Sequence, residues 1–80
     1  METRTLDVRG KKCPVPIVKA KKEIDTLEPG ALLEVWATDP GSVADFQGWA
    51  KGSKFAILKE QRTDTIDGQT VYVHLLERKG

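Results

Sequence analysis

Cys13 is the one cysteine of this 80-residue chain, and it stands in the run Gly10-Lys11-Lys12-Cys13-Pro14-Val15-Pro16. The residues around it bear on its chemistry. Pro14 suits the first position of a helix, where a missing N–H costs nothing. That places Cys13 at the helix start, where partial positive charge favours a thiolate over a thiol. Lys11 and Lys12 add cationic charge, and Pro14 and Pro16 remove two backbone donors while stiffening the first turn. The N–H groups of Val15 and Ile17 are then expected to be available to a sulfur at the cap. The bland alternative is a small buried hydrophobe, a frequent fate of free cysteine.

Several reactions open to a reactive cysteine can be weighed against the rest of the chain. A cysteine hydrolase needs a histidine positioned beside the sulfur. The single histidine, His74, falls in the last predicted strand, and nothing in the sequence brings it to Cys13. A disulfide oxidoreductase needs a Cys-x-x-Cys pair, and a structural zinc site needs about four ligands. One cysteine and one histidine supply neither, so no metal is expected. A thiol that accepts a sulfur atom and passes it to another protein's thiol needs only an exposed nucleophilic sulfur and a docking surface. The persulfide so formed is anionic, and a helix N-terminus stabilises it.

Six elements have to position that cysteine. Thr5–Arg9 alternates Leu6 and Val8 with polar residues and reads as a strand. Pro14–Leu27 reads as a helix, because Ile17, Ala20, Ile24 and Leu27 fall on one face and Lys19, Lys22 and Glu23 away from it. Ala31–Thr38 is a second strand, with Leu33, Val35 and Ala37 on one side and Trp36 on the other. Ser42 with Asp45 three residues on resembles a capping box opening a short second helix through Val43, Phe46 and Ala50 to Gly52. Lys54–Arg62 and Gln69–Glu77 read as strands of a hairpin joined by Thr63–Gly68, with Asp67-Gly68 as its turn signal. In the last strand Val71, Val73 and Leu75 are expected to face the core. His74 then lies at the surface with Thr70, Tyr72 and Leu76.

The order βαβαββ predicts an α+β fold: a two-layer sandwich with a mixed four-stranded sheet and both helices on one face. Residues 1–80 fit a single domain, and no repeat or linker interrupts them. With 39% hydrophobic and 31% charged residues the chain has enough apolar content for a small core. No run approaches the ~18 apolar residues of a membrane span, and no signal peptide is apparent, so a cytoplasmic location is expected. A net charge of +1 excludes a strong global field for nucleic acid or anionic membrane.

The segment Leu6-Asp7-Val8-Arg9-Gly10-Lys11-Lys12-Cys13-Pro14-Val15-Pro16 resembles the signature of the TusA (SirA-like) family of small sulfur carriers. The resemblance continues through Leu27-Glu28-Pro29-Gly30, through Val35 to Asp39-Pro40, and into the helix with Asp45 and Trp49. It weakens after about Gly52, where Lys51-Gly52-Ser53-Lys54 sets the glycine earlier than the family pattern. It implies a sulfurtransferase with Cys13 as the catalytic residue, Pro14 and Pro16 as its frame, and Gly10 allowing the turn into that frame. It implies no cofactor beyond the covalent persulfide. The donor would be a cysteine desulfurase or rhodanese-like protein and the acceptor another sulfurtransferase. The destinations it implies are tRNA thiolation, molybdenum-cofactor supply, sulfur oxidation or thiosulfate use, with thiosulfate or a membrane thiosulfate transporter as further partners.

Docking candidates are Lys11, Lys12, Lys19, Lys22, Trp36 and Asp39. The lysines form either a solvated face, with Lys21 and Asp25 pairing at i,i+4, or a collar that attracts an acidic partner or an anion. Direct nucleic-acid binding is not favoured, because no aromatic stacking residues are interleaved with these lysines. Trp36 belongs to packing or to a partner surface. The rival from another class is a non-catalytic interaction or regulatory module in which Cys13 is buried.

Overall fold

Alternation in the first segment produces strand β1 (Thr3–Asp7), shifted toward the N-terminus of the expected Thr5–Arg9. Val8 still extends the ladder, because its N–H donates to the Trp36 carbonyl at 2.9 Å, and its side chain is fully buried. The computed structural model describes residues 3–12 and 15–79. Cys13 and Pro14 lie outside the described residues, as does the expected helix start at Pro14.

Helix α1 (Val15–Thr26) buries Pro16, Ala20 and Ile24, and Leu27 follows just beyond its end. Of the expected face, Ile17 is half-buried, and Pro16 joins it from the first turn. Arg4 of β1 pins the helix from below, donating from Nη1 to Glu23 Oε2 at 3.1 Å and to Thr26 Oγ1 at 2.8 Å. The expected Lys21–Asp25 pair is absent from the ion pairs among the described residues. Gly30, at φ +89°, turns the chain into β2 (Leu32–Ala37), where Leu33, Val35 and Ala37 alternate inward as expected.

Helix α2 (Ser42–Gly52) follows, then β3 (Ala56–Ile66) and β4 (Gln69–Arg78). The strand order is β1-β2-β4-β3, with β1 parallel to β2 and the other neighbours antiparallel. This is the mixed sheet and α+β architecture expected. One apolar cluster joins Val8, Ala20, Ile24, Leu33, Val35, Phe46, Ala56 and Leu76, with Leu6, Ile17, Trp49 and Leu58 packed against it.

Three local expectations are corrected. The first concerns the hairpin, whose strands run on to Ile66 and Gln69. Its turn is therefore Asp67-Gly68 alone and not Thr63–Gly68. Both residues have positive φ, 52° and 76°, which a two-residue turn needs to match strand twist.

The second correction is the phase of β4. Val35 pairs with His74 and Leu33 with Leu76, so His74 and Leu76 face the helices. Val73 pairs with Trp36 and Leu75 with Glu34 on the open face. His74 is thus fully buried and not a surface residue. Both faces of this strand are apolar enough to be inner faces, so alternation alone does not choose between them; pairing with β2 does. Val71 and Val73 remain buried on the open side, where Arg62 reaches Glu60 at 3.1 Å and Glu34 at 3.6 Å. A register shift between Leu58 and Glu60 inserts Lys59. With that extra residue Leu58 and Gln61, three apart, both pair with inward-facing partners, Leu76 and His74.

The third correction is Ser42. The N-cap of α2 is Gly41, with no side-chain cap hydrogen bond. Ser42 turns inward, buried, with its hydroxyl 2.9 Å from His74 Nε2. The turn before the helix is held by Asp39, whose Oδ1 accepts the Gly41 N–H at 3.0 Å.

Candidate functional site

The β1–α1 and β2–α2 turns meet at one end of the parallel pair. After Val8 the chain leaves the sheet, and the Lys11 N–H returns to the Val8 carbonyl at 3.2 Å. Gly10 occupies the left-handed region of this turn, at φ +79°, as its expected role requires. Its N–H donates to Thr38 Oγ1 at 2.8 Å, which ties the two turns together. Beyond Cys13, the Val15 N–H donates to the Lys12 carbonyl at 2.9 Å. That donor was expected to be available to the sulfur and is instead engaged by the backbone. The expected placements of Cys13 and Pro14 lie outside the described residues. Pro16 is buried under the first turn of α1.

Gly10, Lys11 and Lys12 line a depression of about 310 Å³ with Thr38, Asp39 and Pro40. Both lysines are exposed there, while Asp39 is half-buried. The other docking candidates lie apart from it. Lys22 borders a separate depression of about 480 Å³ between the helices, with Ile17, Val18, Lys21, Asp25 and Trp49. Lys19 points to solvent from α1. Trp36 is on the opposite, open face of the sheet, as its phase predicts. It is half-buried, its indole N–H donates to Glu34 Oε1 at 2.7 Å, and the Arg9 guanidinium lies 5.5 Å above its ring.

Arg9 and Thr38 carry weight that the sequence did not signal. The Arg9 guanidinium bonds both carboxylate oxygens of Asp7 and reaches Asp67 in the hairpin turn at 3.1 Å. Its side chain and its backbone N–H hold the Asp7 carboxyl below the usual carboxylate range. In return Asp7, and then Asp67, push the Arg9 guanidinium further toward its charged form. The pairing across the sheet end depends on the hairpin register, which sequence spacing does not reveal. Thr38 offers no periodic or compositional signal. His74 is remote from this loop in its contacts: it bonds Ser42 and Gln61 and stacks on Phe46 at 4.4 Å.

A mixed four-stranded sheet carrying two helices on one face, with a glycine-hinged basic loop ahead of the first helix, defines a small α/β-sandwich class. The chain belongs to the sulfurtransferase TusA family, which it matches over residues 4–75. That match runs well past Gly52, where the likeness of individual residues to the family pattern weakens. A protein of Halobacterium salinarum, provisionally named a sulfur carrier, is 46% identical over 76 residues, covering 95% of this chain and 89% of its own length. The sulfur carrier protein TusA of Allochromatium vinosum is 47% identical over 58 residues, 70% of this chain and 76% of that one. Some relatives are much longer, and this chain spans only 28% and 34% of two of them. The crystal structure of a SirA-like protein from Desulfitobacterium hafniense superposes with a TM-score of 0.66, covering 91% of this chain and 95% of that one. At 24% identity that likeness speaks for the fold.

Proposed function

We propose that this chain is a sulfur carrier in which Cys13 accepts a sulfur atom as a persulfide and hands it to an acceptor protein. The observation that carries this reading is membership of the TusA family over residues 4–75 in a chain whose only cysteine is Cys13. In the first step the Cys13 thiolate attacks the outer sulfur of a donor persulfide. A Cys13–sulfur bond forms, the donor's sulfur–sulfur bond breaks, and the donor thiolate leaves. In the second step an acceptor thiolate attacks the outer sulfur on Cys13 and restores the Cys13 thiolate. Neither step changes the total number of electrons, so no external oxidant or reductant is needed. With thiosulfate as donor the leaving group is sulfite and the balance is the same.

The exposed Lys11 and Lys12 support this reading, because cationic charge beside a thiol favours the thiolate and then the anionic persulfide. The donor is proposed to be a cysteine desulfurase or rhodanese-like protein and the acceptor a second sulfurtransferase. The onward uses proposed are tRNA thiolation, molybdenum-cofactor supply, sulfur oxidation and thiosulfate metabolism.

Intact-protein mass spectrometry after incubation with inorganic polysulfide or thiosulfate tests the reading. The expected result is a gain of one sulfur atom that reductant removes and that Cys13→Ser abolishes with its circular dichroism unchanged. Undiminished gain on Cys13→Ser, or no gain on the wild type from either donor, would sink it in favour of an interaction module.

A further inference from the structure

Three hydrogen bonds from backbone N–H groups, two to carbonyls and one to a side chain, govern how the loop before Cys13 leaves the sheet. The Val8 N–H is the last in the ladder to β2, donating to the Trp36 carbonyl at 2.9 Å. The Lys11 N–H then closes a four-residue turn on the Val8 carbonyl at 3.2 Å. In a turn closed between its first and last residues, the inner N–H groups are left without a partner inside the turn. Gly10 is such a residue, and its N–H finds Thr38 Oγ1 at 2.8 Å.

Thr38 is itself well placed to hold something still. It follows directly on β2, and the next residues form a turn closed twice, by Gly41 N–H to Asp39 Oδ1 and by Ser42 N–H to the Asp39 carbonyl, both at 3.0 Å. Ser42 is anchored in turn to buried His74. The loop that carries Lys11 and Lys12 is therefore tied to a fixed frame by the Thr38 hydroxyl.

We propose that Thr38 is a positioning residue for Cys13: by accepting the Gly10 N–H it fixes the loop from which the sulfur reacts. This rests on the reading of Cys13 as the sulfur-bearing residue. The bond is exposed to solvent, so water can satisfy the Gly10 N–H once the hydroxyl is gone, and the cost in stability is small. Water does not fix the loop relative to β2. The consequence falls on how well the charges around Cys13 stabilise its thiolate, and so on reactivity more than on folding.

The test compares the wild type with Thr38→Val, which is nearly isosteric, Thr38→Ala, which removes the hydroxyl without a new methyl, and Thr38→Ser, which restores it. Alkylation rates of Cys13 by iodoacetamide are followed from about pH 5 to about pH 9 to give the thiol pKa. One-sulfur gain from inorganic polysulfide is followed in parallel. Thr38→Val and Thr38→Ala are expected to raise the apparent thiol pKa by about half to one unit, roughly three- to tenfold less thiolate at a pH below both values. Both slow sulfur gain to match, with melting temperatures close to wild type, and Thr38→Ser keeps the wild-type profile. Profiles for Thr38→Val and Thr38→Ala that superpose on the wild type overturn the proposal, as does a Thr38→Ser as impaired as Thr38→Val. A wild type that alkylates normally but gains no sulfur defeats the carrier reading instead, and the alkylation profiles still decide the role of Thr38.

Discussion

Ser42 and His74 share a hydrogen bond of 2.9 Å in a place where neither reaches solvent. The neighbours of the ring fix its tautomer. Gln61 Nε2 donates to the Val43 carbonyl at 2.9 Å, and its Oε1 accepts from Gln47 at 2.8 Å, so the amide cannot be turned round. The same Nε2 lies 3.1 Å from His74 Nδ1, which must therefore accept. His74 Nε2 then carries the proton and donates to Ser42 Oγ. A second proton has no acceptor to meet, and burial pushes the imidazole from its ordinary 6.5 down to about 4.

Stability is expected to depend on pH through this ring. A depressed folded-state pKa means that the unfolded chain binds the extra proton first. The contribution is complete above about pH 6.5 and is lost progressively as the pH falls toward about 4, reaching up to about 3 kcal/mol. Urea midpoints measured across that window should fall steadily for the wild type and stay nearly level for His74→Gln. Asp7 acts in a lower window, because Arg9 depresses its carboxyl and its contribution fades only below the ordinary 3.8. A wild-type midpoint unchanged between neutral and mildly acid pH would refute the buried neutral ring.

Ser42 provides a test that separates a helix cap from a buried partner. At a cap, aspartate replaces serine with little loss. At this position Ser42→Asp puts a carboxylate into the core and is expected to cost at least about 2 kcal/mol. Ser42→Ala strands the His74 N–H and is expected to cost about 1–3 kcal/mol. Chemical denaturation of the two variants decides it, and a stable Ser42→Asp would restore the capping role.

The difference between these two roles shows where sequence reasoning stops. Serine at a helix start with Asp45 three residues on is a cap by local pattern, and Ser42 fits that pattern. What turned it inward was a strand 32 residues away, whose inner face local alternation did not identify. Leu33, Val35 and Ala37 were legible because their strand has one apolar and one mixed face. The helix α1 was legible because its apolar spacing is regular and Pro29-Gly30 marks the turn that follows it. At the site, Cys13, Gly10 and the lysines were visible by residue type and adjacency. Thr38 and Arg9 were not, because their partners Gly10 and Asp67 come to them through tertiary pairing.

The hairpin turn should tolerate little at its second position. Gly68 adopts φ +76° with open space where a Cβ would sit, so the cost of a side chain there is one of backbone conformation. Gly68→Ala is expected to lose about 1–2 kcal/mol. Asp67→Asn keeps a residue type at home in the left-handed region and is expected to lose less. Equal urea midpoints for Gly68→Ala and the wild type would count against the turn geometry.

Arg9 is expected to act as the clasp of the open sheet face. Its guanidinium holds Asp7 from its own strand end and Asp67 from the hairpin turn, and it roofs Trp36 on the way. Arg9→Ala should lower the urea midpoint by less than Ser42→Asp does, since these pairs are exposed and salt screens them. It should also uncover the indole, shifting Trp36 emission to the red in a Trp49→Phe background. Arg9→Lys should not restore either property, because an ammonium cannot bond both Asp7 oxygens in a planar fork while lying over the ring. Added salt should narrow the gap between the wild type and Arg9→Ala, because only the former has the Arg9 pairs to lose. An Arg9→Ala protein with unshifted Trp36 emission would show that the ring is covered by something other than this guanidinium.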